Sequence, residues 1–184
     1  MNEIPRTADD VRALVRAGER VKYLFFWGHR PQRDGSIGAG CLSQWWPSAF
    51  TVDGVRFASA EHYMMWRKAT LFGDLEAAER ILAADHPRQA KTLGGGVRGF
   101  DEDKWAAERF EIVVAGNVAK FAQSRELRDF LVGTDPRVLV EASPVDRVWG
   151  IGLAATDDGV ADPLRWQGLN LLGFALMQAR HQLA

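Results

Sequence analysis

The sequence predicts an α+β fold: a helix-dominated single domain with a few short antiparallel strands. Three observations support this prediction. Apolar residues recur at helical spacing over most of the chain, two short β-forming runs flank Asp53-Gly54, and 47% of the 184 residues are hydrophobic. Such a dipeptide between β-forming runs is typical of a hairpin, and the length suffices for one sizeable core. Because no repeat, low-complexity tract or linker interrupts the chain, we expect one domain over residues 1–184.

Capping residues and turn signals give the elements in order. Thr7 and Gly18 bound a first short helix, residues 21–27 are rich in β-forming residues and predict a strand, and residues 49–57 predict the hairpin. Ser59 is a typical N-cap residue for the helix that follows. The further predicted helices are residues 59–72, 74–84, 87–93, 102–123, 124–133 and 168–182, with a short predicted strand at residues 137–142.

The composition favours a soluble cytoplasmic protein. The 23 basic and 24 acidic residues nearly cancel, so no overall charge attracts a polyanion. Cys41 is the only cysteine, so no internal disulfide is expected, as is usual in a reducing compartment. The first residues lack the charged-then-apolar order of a leader, and the late apolar stretch at residues 169–177 is too short to span a bilayer. No membrane partner is expected, and the sequence leaves the oligomeric state open.

Residues 94–99, GGGVRG, match the letters of the dinucleotide-binding fingerprint. That fingerprint binds a dinucleotide only between the strand and helix of a βαβ unit, whereas here it follows the helical run PRQAKTL. We therefore exclude dinucleotide binding and expect a helix end that continues into a loop. A weaker hypothesis is that glycine amides flanked by Lys91 and Arg98 hold a phosphate, as backbone nests do.

Trp27, Trp45 and Trp46 lie at the two ends of a polar loop, and seven tryptophans are unusual for this chain length. Successive side chains of an extended segment alternate faces, so the adjacent Trp45 and Trp46 cannot both point into the core. We expect one of them to be partly exposed or to line a pocket, where its flat ring could stack on a nucleobase. Ordinary core packing of the aromatic residues is the alternative.

Glu61 and Lys68 are the most informative ionisable pair. They lie two helical turns apart and share a helix face with Met64 and Met65. At the second helical position, the N-terminal end of the helix dipole is expected to lower the pKa of Glu61 and to keep the carboxylate ionised. Either both side chains point into a cleft, or they are two charges at the margins of an ordinary helix.

Residues 141–152, EASPVDRVWGIG, place two acids, a tryptophan and two glycines directly after a predicted strand. A solvated turn anchored by Trp149 is the simpler interpretation, particularly for Glu141. The four histidines have no metal-ligand spacing with one another or with Cys41, so we expect no zinc site. No serine nucleophile motif is present.

The order of these segments resembles the YbiA-like family, also called NADAR. The matching segments are LSQWWPSAF, SAEHYMMWRKA, RQAKTLG, a helix with KW and KF, SPVDRVWGIG and GLNLLGFALMQAR, which together with the first strand extend over about residues 23–180. The chain departs from the family pattern at Gln44 and Val145, where asparagine is usual, and by a loop insertion between Gly152 and Gly168. These departures concern the substrate more than the reaction.

The resemblance implies an N-glycosidase that acts on ribosylated bases without a metal or cofactor. Its substrate would be a ribosylamino-pyrimidine phosphate of riboflavin synthesis or ADP-ribosylated guanine, as a small molecule or in nucleic acid. By this resemblance Glu61, Lys68 and Asp146 are catalytic, and Lys68 is the candidate covalent nucleophile. The expected substrate-binding residues are Trp27, Ser43, Gln44, Trp45, Trp46, His62, Lys91, Arg98, Trp149, Gly150 and Asn170.

Two other classes of function remain open at this point. A non-catalytic module could bind ADP-ribose or a nucleotide in the same cleft, although the presence of both Glu61 and Lys68 argues against it. A helical interaction protein could use an exposed tryptophan pair as its docking surface. The near-neutral charge mildly favours a small-molecule substrate, since nucleic-acid binders usually carry a basic face.

Overall fold

The computed structural model describes residues 4–184, so residues 1–3 of the predicted domain lie outside it. The elements in chain order are α1 (Ala8–Arg16), β1 (Tyr23–Phe26), β2 (Phe50–Val52), β3 (Val55–Phe57), α2 (Ala60–Leu71), α3 (Leu75–Leu82), α4 (Pro87–Gly95), α5 (Glu102–Ala122), α6 (Arg125–Val132), β4 (Val138–Glu141) and α7 (Leu171–Leu183). Short 3-10 helices lie at Ala39–Leu42 and Pro163–Arg165. Within residues 4–184, none of the helices is long and apolar enough to cross a membrane.

The helices begin where the sequence places capping residues. Thr7 forms a capping box with Asp10: the Thr7 hydroxyl accepts from the Asp10 N–H at 3.1 Å, and the Asp10 carboxylate accepts from the Thr7 N–H at 2.8 Å. The side chains at five later helix starts also accept a backbone N–H; they are Ser59, Asp74, His86, Asp101 and Ser124. All the predicted helices are therefore present, and α4 continues two residues beyond its predicted end.

The four strands form two separate pairs. β2 and β3 form the predicted antiparallel hairpin, in which Asp53 and Gly54 have φ values of 49° and 81°, as this tight turn requires. β1 and β4 pair in parallel, and Phe26 lies opposite Glu141 at their carboxyl ends. The α+β class is confirmed, but this second pair is parallel rather than antiparallel. Strands β1 and β4 are joined through α2–α6, a crossover long enough to return the chain in the same direction.

The core forms where α5 packs against α2 and α7, and where α7 packs on β4. Gly116 of α5 allows a close approach, because a Cβ atom there would lie 2.5 Å from the Tyr63 ring of α2. The Tyr63 ring is buried and packs edge-on against Phe57 at 5.1 Å between centroids. Burying an aromatic side chain of this kind contributes about 1.5–3 kcal/mol. One side of α2 is thereby held in the core.

The parallel pair determines where the cavity of the molecule lies. Because β1 and β4 run in the same direction, their carboxyl ends meet at one edge. Trp27 follows β1 and Glu141 ends β4, so the two residues emerge at that edge together. The carboxyl edge of parallel strands is a common location for ligand sites.

Candidate active site

A cavity of about 680 Å³ opens at the carboxyl ends of β1 and β4, with further walls from α2, α4 and α5. Small-molecule sites typically enclose roughly 300–1,000 Å³. Nine of the predicted site residues line this cavity: Trp27, Ser43, Gln44, Trp45, Glu61, Lys68, Lys91, Asp146 and Trp149. The other five lie outside its lining: Trp46, His62, Arg98, Gly150 and Asn170.

Glu61 lies in the first turn of α2 and is 3% exposed. Its Oε1 atom has no hydrogen-bond partner among the described residues. Burial raises the pKa of Glu61 to about 7, against the opposing effects of the Lys91 charge and the Trp45 side chain. The expectation of a lowered pKa is therefore wrong, because the loss of solvation outweighs the helix dipole. The carboxyl exchanges its proton near neutral pH.

Lys68 reaches the same cavity two turns further along α2. Its Nζ atom lies 4.2 Å from the centroid of the Phe100 ring and 5.6 Å from that of Trp105. Desolvation lowers the pKa of Lys68, and the Glu102 carboxylate opposes this shift. The helix therefore presents a carboxyl and an amine to one cavity, with methionines on the stripe between them.

Asp146 shapes the loop that carries Trp149. One Asp146 carboxylate oxygen accepts the backbone N–H groups of Val148 and Trp149 at 2.9 and 2.8 Å. These bonds close a tight turn that directs Trp149 to the cavity. The next residue is Gly150. A Cβ atom at this position would lie 2.9 Å from the carbonyl oxygen of Glu141, so only glycine fits. Gly150 thus acts through close backbone packing.

Asn170 is buried and bonds to β4. Its Oδ1 accepts the Glu141 N–H at 2.9 Å, and its Nδ2 donates to the Leu139 carbonyl at 2.9 Å. Asn170 has a φ of 56°, in the left-handed region, and precedes α7. At Gly173, one turn into α7, a Cβ atom would lie 2.1 Å from the Leu139 oxygen. Asn170 and Gly173 together fix the last residues of β4.

Glu141 is one of the cavity residues that the sequence analysis did not select. It lines the cavity, and its Oε2 atom is buried without a hydrogen-bond partner in the described part of the chain. Burial, followed by the charges of Asp146 and Glu61, raises the pKa of Glu141 to about 8. The interpretation as a solvated turn is wrong, because parallel pairing with β1 places this strand end at the cavity.

The loop with Ser43, Gln44 and Trp45 is fixed by α5 and α2. Gln44 Oε1 accepts from Asn117 Nδ2 at 3.0 Å, and the Gln44 carbonyl accepts from the Glu61 N–H at 2.9 Å. The Trp45 ring lies beside the rings of His29 and His86, with centroids 5.8 and 5.9 Å away. Trp45 lines the cavity, as expected of one member of the tryptophan pair, whereas Trp46 packs against the core.

Arg98 faces a different surface from Lys91. Its guanidinium binds the carboxylates of Asp74 at 2.6 Å and Glu76 at 3.0 Å, and this pairing holds the pKa of Asp74 well below its usual range. Lys91, in contrast, lines the main cavity. Lys91 and Arg98 therefore do not face one common site, and phosphate binding by the glycine amides between them stays a prediction.

His62 is buried and lies outside the lining of the cavity. Its Nδ1 lies 2.7 Å from the Ser59 hydroxyl, and its Nε2 lies 3.0 Å from the Ala84 carbonyl oxygen. A carbonyl only accepts, so Nε2 donates and Nδ1 accepts from Ser59. Burial lowers the pKa of His62 and favours this neutral form. The bonds of His62 join α2 to the end of α3.

The cavity also has a cationic and aromatic side. Phe100, Trp105 and Arg109 line it near Lys68, and none of the three was selected from the sequence. Arg109 Nη1 lies 3.6 Å from Glu102 Oε1, and its buried Nε atom has no partner within residues 4–184. Trp105 and Arg109 are one turn apart on α5, a spacing that could have identified them as sharing a face.

An α+β fold whose cavity is lined by carboxyl, amine and tryptophan side chains is typical of one class of domain. The sequence model of the NADAR domain family matches residues 25–184 of this chain. The chain therefore belongs to the NADAR family, as the order of its motifs predicts.

Three relatives illustrate the match. N-glycosidase R617 of Acanthamoeba polyphaga mimivirus is 40% identical over 169 residues, which cover 89% of this chain and 98% of the relative. N-glycosidase YbiA of Escherichia coli is 32% identical in sequence over 139 residues, which cover 76% of this chain and 77% of the relative. The NMR structure of E. coli YbiA superposes on this chain with a TM-score of 0.71 and 27% identity. That superposition covers 89% of this chain and 86% of the YbiA chain. Riboflavin biosynthesis protein VVA0006 of Vibrio vulnificus is 31% identical over 78% of this chain and 35% of its own length.

Proposed function

We propose that the protein is an N-glycosidase that hydrolyses the bond between ribose C1′ and a base nitrogen in ribosylated bases. The observation that carries this proposal is the Glu61 carboxyl, which is buried, lacks a partner for Oε1 among the described residues and faces a cavity shared with Lys68. Burying a carboxyl without its hydrogen bonds costs stability. Such an arrangement is typical of a catalytic group.

Glu61 suits the charge that develops as the glycosidic bond breaks. Positive charge accumulates on C1′ and the ring oxygen in an oxocarbenium-like transition state. A carboxylate beside that carbon stabilises the charge, and it does so strongly in a site that excludes water. With a pKa of about 7, Glu61 is partly ionised at neutral pH and increasingly so above it.

Lys68 is the proposed nucleophile. Its lowered pKa increases the share of free amine, which is the reactive form. Attack on C1′ forms a carbon–nitrogen bond as the base departs, and the opened sugar is then held as an imine that water hydrolyses. In the alternative route water attacks C1′ directly, and Lys68 binds a hydroxyl or phosphate of the substrate.

The tryptophans of the cavity are suited to bind the base. Trp45 and Trp149 line its wall, and Trp27, which is 62% exposed, lies at its mouth. Stacking of a base on an aromatic ring contributes about 1–3 kcal/mol. An exposed tryptophan beside a cavity is best explained by a flat ligand that covers it.

The proposed substrates are a ribosylamino-pyrimidine phosphate and ADP-ribosylated guanine, the latter free or in nucleic acid. Both carry phosphate, and Lys68, Lys91 and Arg109 supply cationic groups to the cavity. The names of the mimivirus and E. coli relatives support glycosidic cleavage, and the name of the Vibrio relative supports a link to riboflavin synthesis. The net charge of -1 favours the small-molecule substrate.

One incubation series tests the proposal. The protein is mixed separately with a ribosylamino-pyrimidine phosphate, ADP-ribosylated guanosine and ADP-ribosylated DNA, and mass spectrometry follows released ribose phosphate or ADP-ribose. Release from at least one substrate, slowed by about a hundredfold or more in Glu61→Gln, is the expected result. Binding without release would identify a binding module instead, and neither binding nor release would favour an interaction protein.

A further inference from the structure

Two separate loops hold the backbone of Glu141 in place. Its N–H donates to the Asn170 side chain at 2.9 Å, and its carbonyl accepts from the Ile151 N–H at 3.0 Å. Gly150 and Gly173 provide the close approaches that allow these loops to pack against β4. The segments around the WG and GLNLLG motifs therefore converge on the main chain of one residue.

The side chain of Glu141, in contrast to its backbone, faces the cavity. Glu141 lines the cavity, and its Oε2 has no partner within the described residues. The charged groups that face it are Glu61 from α2, Asp146 from the following loop and Lys91 from α4. Because the backbone of Glu141 is held by hydrogen bonds and its Oε2 atom has no partner among the described residues, the carboxyl is positioned to bind an atom of a ligand.

We propose that Glu141 is the general acid of the reaction and donates its proton to the base nitrogen as the glycosidic bond breaks. This inference rests on the proposed N-glycosidase activity. It assigns the two buried carboxyls to different tasks, with Glu61 on the sugar side of the bond and Glu141 on the base side.

The step balances in atoms and electrons. The C1′–N bond breaks, its electron pair goes to the base nitrogen, and the Glu141 proton joins that nitrogen. The base leaves neutral and Glu141 becomes a carboxylate. The water that completes the hydrolysis gives its hydroxyl to the sugar carbon and its proton to Glu141, which restores the acid.

The surroundings of the three carboxyls favour this assignment. One carboxylate oxygen of Asp146 accepts two backbone N–H groups, so this oxygen is already bonded to its own loop. Burial and then the charges of Asp146 and Glu61 raise the pKa of Glu141, whereas the Lys91 charge and the Trp45 side chain oppose the rise at Glu61. Glu141 is therefore the carboxyl whose neighbours favour the protonated form, and unequal surroundings of this kind divide the roles of a pair of catalytic carboxyls.

A comparison of leaving groups tests the inference. Glu141→Gln is assayed against the ribosylated base and against p-nitrophenyl ribofuranoside 5-phosphate, whose phenolate departs without a proton. For the base substrate we expect a loss of kcat on the order of 10²–10⁴-fold, the usual contribution of a general acid, and for the nitrophenyl substrate little loss. Glu79→Gln, on the exposed face of α3, is the matched control. Equal losses on both substrates would overturn the assignment.

Two further measurements do not depend on the nitrophenyl substrate. The activity of the wild type on the base substrate should fall as pH rises above the pKa of Glu141, and Glu141→Gln should lose this alkaline decline. The infrared band of a protonated carboxyl at pH 7 should weaken in Glu141→Gln, whose folding is checked by circular dichroism. An alkaline decline that persists in Glu141→Gln would contradict the proposal. Absence of turnover by the wild type on every substrate would instead overturn the proposed function itself, and the inference with it.

Discussion

The Nζ atom of Lys120 donates to the carbonyl oxygen of Cys41 at 2.6 Å, although the lysine is only 1% exposed. A second bond at 2.9 Å reaches the carbonyl of Ser43. Burial lowers the pKa of Lys120 to about 7. This lysine therefore supports, from inside the core, the loop that presents Ser43 and Trp45 to the cavity.

Replacing Lys120 should weaken substrate binding more than it slows the chemistry. In Lys120→Met the loop loses both bonds, so Trp45 is held less firmly and part of its stacking contribution of about 1–3 kcal/mol is lost. We expect KM to rise roughly five- to tenfold, with a smaller change in kcat, in steady-state assays. Lys22→Met removes an exposed lysine and serves as the control. An unchanged KM in folded Lys120→Met would contradict the positioning role.

Glu61→Gln should lower turnover by about a hundredfold or more while the fold is kept. The amide has the shape of the carboxyl but cannot carry the negative charge that stabilises the transition state. Turnover is measured alongside circular dichroism, so that loss of activity is separated from loss of structure. Near-normal turnover in the folded variant would exclude a catalytic role for Glu61.

The same substitution should stabilise the protein at alkaline pH. The pKa of Glu61 is raised from 4.5 to about 7 on folding, so between these values the native state holds a proton that the unfolded state releases. The free energy of unfolding of the wild type therefore falls as pH rises through this window. At pH 8, Glu61→Gln should be more stable by about 1–3 kcal/mol, measured by denaturant titration, and the advantage should vanish near pH 4. A pH-independent difference would show that the buried charge is not its cause.

Trp45 and Trp46 should respond differently to substitution. Trp45 lines the cavity, so Trp45→Ala should weaken binding of a ribosylated base by about 1–3 kcal/mol with little change in stability. Trp46 packs against the core, so Trp46→Ala should lower the free energy of unfolding and leave binding nearly intact. Calorimetric titration and thermal unfolding of both variants separate the two effects. Normal binding by Trp45→Ala would leave the stacking proposal without support.

Covalent capture at Lys68 can be tested by trapping. If the amine attacks C1′, borohydride reduces the imine to a stable secondary amine, and mass spectrometry finds the sugar on the peptide that contains Lys68. Lys68→Arg should abolish trapping and most activity, because a guanidinium stays protonated and is no nucleophile. Trapping on Lys91 would keep the mechanism but change the residue. Turnover by the wild type without an adduct would favour direct attack by water.

Local sequence was sufficient to predict the helices and part of the cavity. Thr7, Ser59 and Ser124 cap helices through hydrogen bonds that span three residues, so their effect needs no tertiary contact. The two-turn spacing of Glu61 and Lys68 likewise follows from helix geometry alone. Such features depend on neighbours along the chain, which a single sequence contains.

The features that were missed depend on contacts distant in sequence. Glu141 reaches the cavity because β4 pairs in parallel with β1. Arg98 lies outside the cavity because its guanidinium binds Asp74. The direction of the Glu61 pKa shift was wrong for the same reason, since its burial comes from loops and helices elsewhere in the chain. Only the folded arrangement determines these three outcomes.

The parallel pairing of β1 with β4 also affects synthesis on the ribosome. Trp27 emerges from the ribosome early. Strand β4, which pairs with β1, and Asn170, which bonds to β4, are made much later. A nascent chain that ends within α6 holds Glu61 and Lys68 without Glu141. Contacts this distant in sequence also form slowly during folding. The cavity is therefore complete only after β4 and Asn170 have been made, so shorter nascent chains lack the Glu141 carboxyl that lines it.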